Sequence, residues 1–127
     1  YNNRFNTAIN NIAIGTSALV NNQSGSSNTA MGNSALVNNE SGTSNTAVGA
    51  SALSSNTTGI ENTAIGVVAG PQLASAGLKN TTAVGAWAMT YKDNQVIIGN
   101  DEVTHIGGFS DWHKLSDGRF KKNIQAN

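Results

Sequence analysis

Hydrophobic and polar positions along this chain recur at a fixed interval. Asn11-Ile12-Ala13-Ile14-Gly15 returns as Asn28-Thr29-Ala30-Met31-Gly32, as Asn45-Thr46-Ala47-Val48-Gly49 and as Asn62-Thr63-Ala64-Ile65-Gly66, each time after 17 residues. Thr81-Thr82-Ala83-Val84-Gly85 follows after 19, and Gln95-Val96-Ile97-Ile98-Gly99 after a further 14. Two residues beyond each of the first three glycines stands a second block, Ser17-Ala18-Leu19, Ser34-Ala35-Leu36 and Ser51-Ala52-Leu53, with Trp87-Ala88-Met89 as a looser copy. Turn formers such as Asn21-Asn22-Gln23-Ser24-Gly25 separate the blocks. A fixed period of this kind marks a repeat architecture with one supersecondary unit per copy.

Seventeen residues rich in Gly and Asn cannot hold a helix pair, which needs about 33. They do hold two short strands and two turns. Within the first block the side chains alternate, with Thr29 and Met31 on one face and Ala30 on the other. One strand face is therefore bulky, and the other is small enough for close approach. The recurring glycine suits a positive φ or a backbone packed against the neighbouring rung. The prediction is an all-β fold, a parallel β-roll or β-solenoid of about six short rungs over residues 1–99, roughly 30 Å long at the strand spacing of about 4.8 Å. Asn28, Asn45 and Asn62 are expected to form a hydrogen-bonded ladder along the stack. The columns Leu19, Leu36, Leu53 and Val20, Val37 are expected at the surface, where a lone thin roll would struggle to cover them. Self-association as an intertwined homotrimer is the expected remedy.

Composition sharpens this picture. Asn, Ser, Thr and Gly supply 58 of the 127 residues and Leu, Ile, Val and Phe only 26, so the chain reads as a turn-rich repeat and not a compact enzyme. Seven basic residues balance seven acidic ones, which argues against a nucleic-acid partner or an anionic membrane surface. No apolar run approaches about 18 residues, so no membrane insertion is expected. The absence of cysteine excludes disulfides and thiolate metal sites. Charge is uneven: residues 1–78 carry only Arg4, Glu40 and Glu61, and the other eleven charges fall between Lys79 and Lys122. A neutral body thus gives way to a charged segment.

The alternation of Asn-Thr-Ala-Ile-Gly with Ser-Ala-Leu resembles the head repeats of trimeric autotransporter adhesins and similar segments of phage tail fibres. The resemblance implies three left-handed parallel β-rolls packed around a common axis. It spans about residues 6–99, although the adhesin repeat is nearer 14 residues than 17. Beyond it, residues 100–115 form a transition segment. Ser116-Asp117-Gly118-Arg119-Phe120-Lys121-Lys122-Asn123-Ile124 resembles the opening of the self-cleaving intramolecular chaperone domain of phage tail spikes and fibres. That resemblance makes residues 116–127 the truncated start of such a domain, with Ser116 the nucleophile, Lys121 its base and Leu115–Ser116 the bond cut. Asp117, Arg119 and Asn123 match the motif without a chemical role.

On their own spacing, Ser116 and Lys121 lie on opposite faces of a strand and about 140° apart on a helix, so a turn at Gly118 is needed to join them. A base near neutrality also requires Lys121 to fall well below its ordinary pKa of about 10.4, by burial and by the nearby Arg119 and Lys122. Cleavage is therefore expected only in the precursor, once, and no other enzymatic activity. His105 and His113 read as ordinary surface histidines and Asp101-Glu102 as a solvated turn, so neither a metal nor a cofactor is expected. Trp87 and Trp112 are expected to close the end of the thin core. One Thr column beside Met31, Val48 and Ile65 is not the doubled Thr array of an ice-binding solenoid. A sugar-cleaving site would need paired carboxylates across a groove, and Glu40 and Glu61 sit in different rungs.

The sequence thus predicts a structural and receptor-binding segment of a trimeric phage tail fibre or related injection device, upstream of a self-cleaving chaperone. Its partners would be two further copies of itself and a host-surface receptor, with a glycan as one candidate, and its place the virion tail fibre or the extracellular space. The alternative is the head of a trimeric adhesin on the bacterial surface.

Overall fold

Each Asn-x-Ala-x-Gly block puts extended-chain formers on either side of an alanine and ends in a residue that can turn sharply. A computed structural model describes residues 7–71 and 76–108. It is all-β, with no helix among the described residues, and winds as a parallel solenoid of about five turns. The triplets form β1 (Ile12–Ile14), β2 (Thr29–Met31), β3 (Thr46–Val48), β4 (Thr63–Ile65), β6 (Thr82–Val84) and β8 (Val96–Ile98), joined in that order as one six-stranded sheet. The register follows the repeat throughout: Ala13, Ala30, Ala47, Ala64, Ala83 and Ile97 stack as one column. Neither the 19-residue nor the 14-residue interval breaks it. The longer and shorter spacings are absorbed entirely in the turns.

The alanines face inward. Ala30, Ala47, Ala64 and Ala83 are fully buried, which fixes the small face of the strand as the core side. Opposite them lies the second block, and here the expectation changes. Leu36 and Leu53 are buried at 0% and 1% exposure and Leu19 nearly so, so the leucine columns are core and not surface; of the valines beside them, Val20 is exposed. Ala35 and Leu36, adjacent in sequence, are both buried, which a two-residue strand period forbids. The block is a corner. Ser34 and Leu36 hold φ of 56° and 51°, Ser51 and Leu53 56° and 52°, and these left-handed steps turn both apolar residues inward. Two strands per repeat therefore do not occur in the first three turns. Only the last two described turns carry a second sheet, formed by β5 (Gly70–Pro71) and β7 (Met89–Thr90).

Left-handed leucine costs about 1–2 kcal/mol per residue and persists only where the surroundings over-determine it. The ladder between turns does so. Leu19 N–H donates to Ala35 O at 3.1 Å, Leu36 to Ala52 O at 3.0 Å and Leu53 to Ala69 O at 2.9 Å.

Two asparagine ladders hold the remaining corners. In the expected one, the amide N–H groups of Asn28, Asn45, Asn62 and Thr81 donate to Oδ1 of Asn11, Asn28, Asn45 and Asn62 at 2.9–3.0 Å. The same side chains donate from Nδ2: Asn28 to Gly42 O and Asn45 to Gly59 O, each at 2.8 Å. A second ladder runs through Asn22, Asn39 and Asn56, in which Nδ2 of Asn39 and of Asn56 donates to Oδ1 of Asn22 and of Asn39, each at 2.9 Å. Asn28, Asn39, Asn45, Asn56 and Asn62 are fully buried. They act as surrogate backbone where the chain bends away from its neighbour.

Gly32, Gly49 and Gly66 hold φ of 139°, 133° and 136°. A Cβ at Gly49 would also stand 2.6 Å from the carbonyl oxygen of Gly66 in the next turn. Both reasons expected for the glycine thus hold together. Gly49→Val is expected to destabilise the fold by roughly 1–3 kcal/mol per chain through strain and overpacking. An unchanged midpoint in thermal melting would refute that. Asn45→Ala is expected to cost about 1–3 kcal/mol, because it orphans the buried N–H of Asn62. Denaturant unfolding measures that loss, and a cost near zero would show the ladder to be idle.

Candidate assembly face

Because alanine points into the core, its two neighbours on every strand point out. The outer face carries two in-register columns, Ile12, Thr29, Thr46, Thr63, Thr82, Val96 and Ile14, Met31, Val48, Ile65, Val84, Ile98. The second is apolar from end to end. Ile14 is 56% exposed, Met31 41%, Ile65 46%, Val84 37% and Ile98 40%, so about half of each side chain meets solvent. Stacked at the strand spacing, the column runs roughly 24 Å. No ionisable side chain stands in either column, and between residues 7 and 78 only Glu40 and Glu61 ionise.

Such a face suits burial against another surface and offers no reacting group. A contiguous apolar stripe on a neutral body makes this the candidate interaction face. The sequence identified the bulky side of the strand but assigned assembly to the leucines. The alternation of Ala30 with Met31 and of Ala64 with Ile65 was the available signal.

Other sequence-predicted positions fall as follows. Ser116 and Lys121, with Leu115, Asp117, Arg119, Asn123, Trp112 and His113, lie outside the described residues. His105 is exposed, its Nδ1 2.9 Å from the Thr104 hydroxyl. Asp101 and Glu102 sit in an exposed turn that Asn100 shapes by accepting from Glu102 N–H at 3.0 Å. No group of three or more His, Cys, Asp or Glu poised for a metal occurs among the described residues. Trp87 does not close the core. It is 55% exposed at a left-handed corner with φ of 60°, in the column that Ser17, Ser34 and Ser51 occupy in earlier turns. Its alignment with serine was the readable sign of a surface position. With Tyr91, Val96, Ile98 and Asn100 it lines an open groove at the C-terminal end of the stack.

No protein-family model, curated protein or solved structure matches the chain.

Proposed function

We propose that this chain is a structural and receptor-binding segment of a homotrimeric fibre, of the kind found in phage tails and related injection devices, standing just upstream of a self-cleaving chaperone. The observation that carries the reading is the apolar column from Ile14 to Ile98, which runs the length of the sheet and carries no charge. A roll with one exposed apolar face buries it by packing that face around a common axis. Five side chains of the column, each with roughly half its surface still to bury, gain roughly 1 kcal/mol apiece, and Val48 adds less. The sum of about 5 kcal/mol per chain is of the same order as the roughly 4–15 kcal/mol lost on association. Assembly of that balance benefits from a separate domain that gathers the chains first. Receptor recognition falls to the turns and their Asn, Ser and Thr side chains, on the virion or another extracellular fibre.

In this reading the Ser116 hydroxyl attacks the Leu115 carbonyl, Lys121 takes its proton and passes it to the departing Ser116 nitrogen, and water hydrolyses the resulting ester to a Leu115 carboxylate, freeing Ser116 as an N-terminal amine with its hydroxyl restored. Cleavage after assembly makes dissociation hard to reverse. One feature favours a second reading, the head of a bacterial trimeric adhesin: the interval from β6 to β8 is 14 residues, the adhesin-like period. The sequence beyond Asn127 separates the two, since the first reading requires a chaperone domain there and the second a stalk and membrane anchor.

Light scattering of the chain at micromolar concentration is expected to give three times 13.0 kDa, or a multiple of that unit. Ile65→Asp is expected to dissolve the three-fold unit while far-ultraviolet dichroism keeps its β signature. A native chain whose mass is not a multiple of three would refute the trimer. In a precursor carrying the complete chaperone domain, Ser116→Ala and Lys121→Ala are each expected to leave an uncut product. Mass spectrometry of the unmutated precursor showing a chain that continues past Leu115 would refute cleavage.

A further inference from the structure

Beside the apolar column run two further positions, the residue after each strand's glycine and the left-handed corner that follows it. After the glycine stand Thr16 and Asn33 in the first two turns, then Ala50, Val67 and Ala86. The corner is Ser17, Ser34 and Ser51 in the first three turns, then Val68 and Trp87. The main chain does not change with them. Val68 and Trp87 hold φ of 56° and 60°, as the serines do at 56–60°. Their N–H groups donate to Ala50 O and Val67 O at 2.9 and 2.8 Å, just as Ser34 and Ser51 donate to Thr16 O and Asn33 O at 2.8 Å. Only the side chains have become apolar.

That change works against a lone chain twice. A positive φ is uncommon for any residue but glycine and a genuine outlier for a β-branched or bulky one, so valine and tryptophan strain a corner that serine forms in the earlier turns. The change also sets apolar surface in water: Val67 is 47% exposed and Trp87 55%, and Ala86 is exposed as well. Ile65 and Val84 stand exposed two residues before Val67 and Ala86, and Trp87 lines one groove with Ile98. The patch is thus continuous with the apolar column. One column wide over β1 and β2, the apolar stripe is three wide over β4 and β6. Covering the patch offsets both the strain and the exposure.

We infer that the lateral contact between copies of this chain centres on the widened patch, with Trp87 its principal anchor. The inference rests on the fibre reading for the existence of that contact and adds where it is made. A second copy is the occupant because the patch continues the column that the trimer would bury. Charge permits the approach: residues 62–78 and 80–90 carry no charged side chain, so identical chains meet there without repulsion. Because the widening occurs at one level of the stack, parallel copies in register bring all of their patches together. Tryptophan is enriched among the few residues that carry most of the energy of such contacts, since its large, rigid side chain buries much apolar area at once.

Trp87→Ser installs the residue that the same corner carries in the first three turns, so the fold tolerates it. It is expected to raise the concentration at which the assembly half-dissociates at least about tenfold, the loss typical of a central anchor. Met31→Thr, which removes an exposed apolar side chain from the narrow part of the stripe, is expected to shift it by less. Fluorescence reports the burial directly. The chain has two tryptophans, so in Trp112→Phe all indole emission comes from Trp87. On dilution through the dissociation that emission should move to longer wavelength and be quenched more strongly by acrylamide. In single chains of the same variant carrying Ile65→Asp it should stay at long wavelength throughout. A native chain that scatters as a single copy at every concentration would overturn the trimer and this inference together. With the trimer intact, unchanged dissociation of Trp87→Ser, or an indole equally quenched in trimers and single chains, would overturn this inference alone.

Discussion

Everything in this solenoid depends on the close approach of one turn to the next. Parallel strands must lie about 4.8 Å apart to share hydrogen bonds, and a chain that returns to the same place every 17 residues must hold that spacing around its corners too. Corners are where backbone groups diverge and lose their partners. Water cannot reach them, so an unpaired N–H there costs more than a typical hydrogen bond contributes. Buried asparagine resolves this, because its side chain carries a carbonyl and an amide in nearly the geometry of a peptide group. Asn45 accepts from Asn62 N–H and donates to Gly59 O, and its relatives repeat the arrangement above and below. Glycine is the complementary device: where the asparagine side chain fills a gap, the missing Cβ of Gly49 prevents a clash with Gly66.

From this constraint follows the thinness of the core. Turns so tightly stacked and so short leave room inside for alanine on one wall and a single leucine on the other. The alanine column takes a larger residue only at its end, where Ile97 packs against the core, and Met31, Ile65 and Val84 stand outside. The apolar outer column is thus a consequence of the fold's cross-section. A body with this little internal apolar volume draws its cohesion from hydrogen bonds along the stack and gains further burial only against another surface.

Much of the architecture was legible in the chain. The period, the parallel register and the inward alanine follow from Asn-x-Ala-x-Gly recurring at 17 residues, and the first asparagine ladder follows from its position in that block. The second block misleads for a specific reason. Ser-Ala-Leu looks like a strand fragment, and strand logic puts Ala and Leu on opposite faces. Left-handed Ser34 and Leu36 defeat that logic, and nothing in the composition of the triplet announces a positive φ for leucine. The ladder through Asn22, Asn39 and Asn56 was hidden among turn residues whose polarity is ordinary for a loop. The outer apolar column was legible as a bulky strand side, but it stood out as the exposed apolar surface only once the leucines were known to be inside. Ser116 and Lys121 rest on a motif that resembles a known cleavage site and on no geometry among the described residues.

In the proposed trimer, near-identical rungs raise a problem of register that the irregular turns address. Shifting one chain against another by a whole turn leaves most contacts of the apolar column unchanged, so the column alone sets register weakly. Interruptions of the repeat are what distinguish one rung from the next. The 19-residue interval ending at Thr81 and the 14-residue interval ending at Gln95 break the translational equivalence. So does the substitution of Trp87 for the corner serine. These departures cluster in the C-terminal third, next to the segment where charge reappears. Chains aligned first at that end would have only one register available to the uniform rungs that follow, and pairing could then spread toward β1. For the proposed trimer, a repeat uniform along most of its rungs and irregular at one end would reconcile monotony of sequence with a single register.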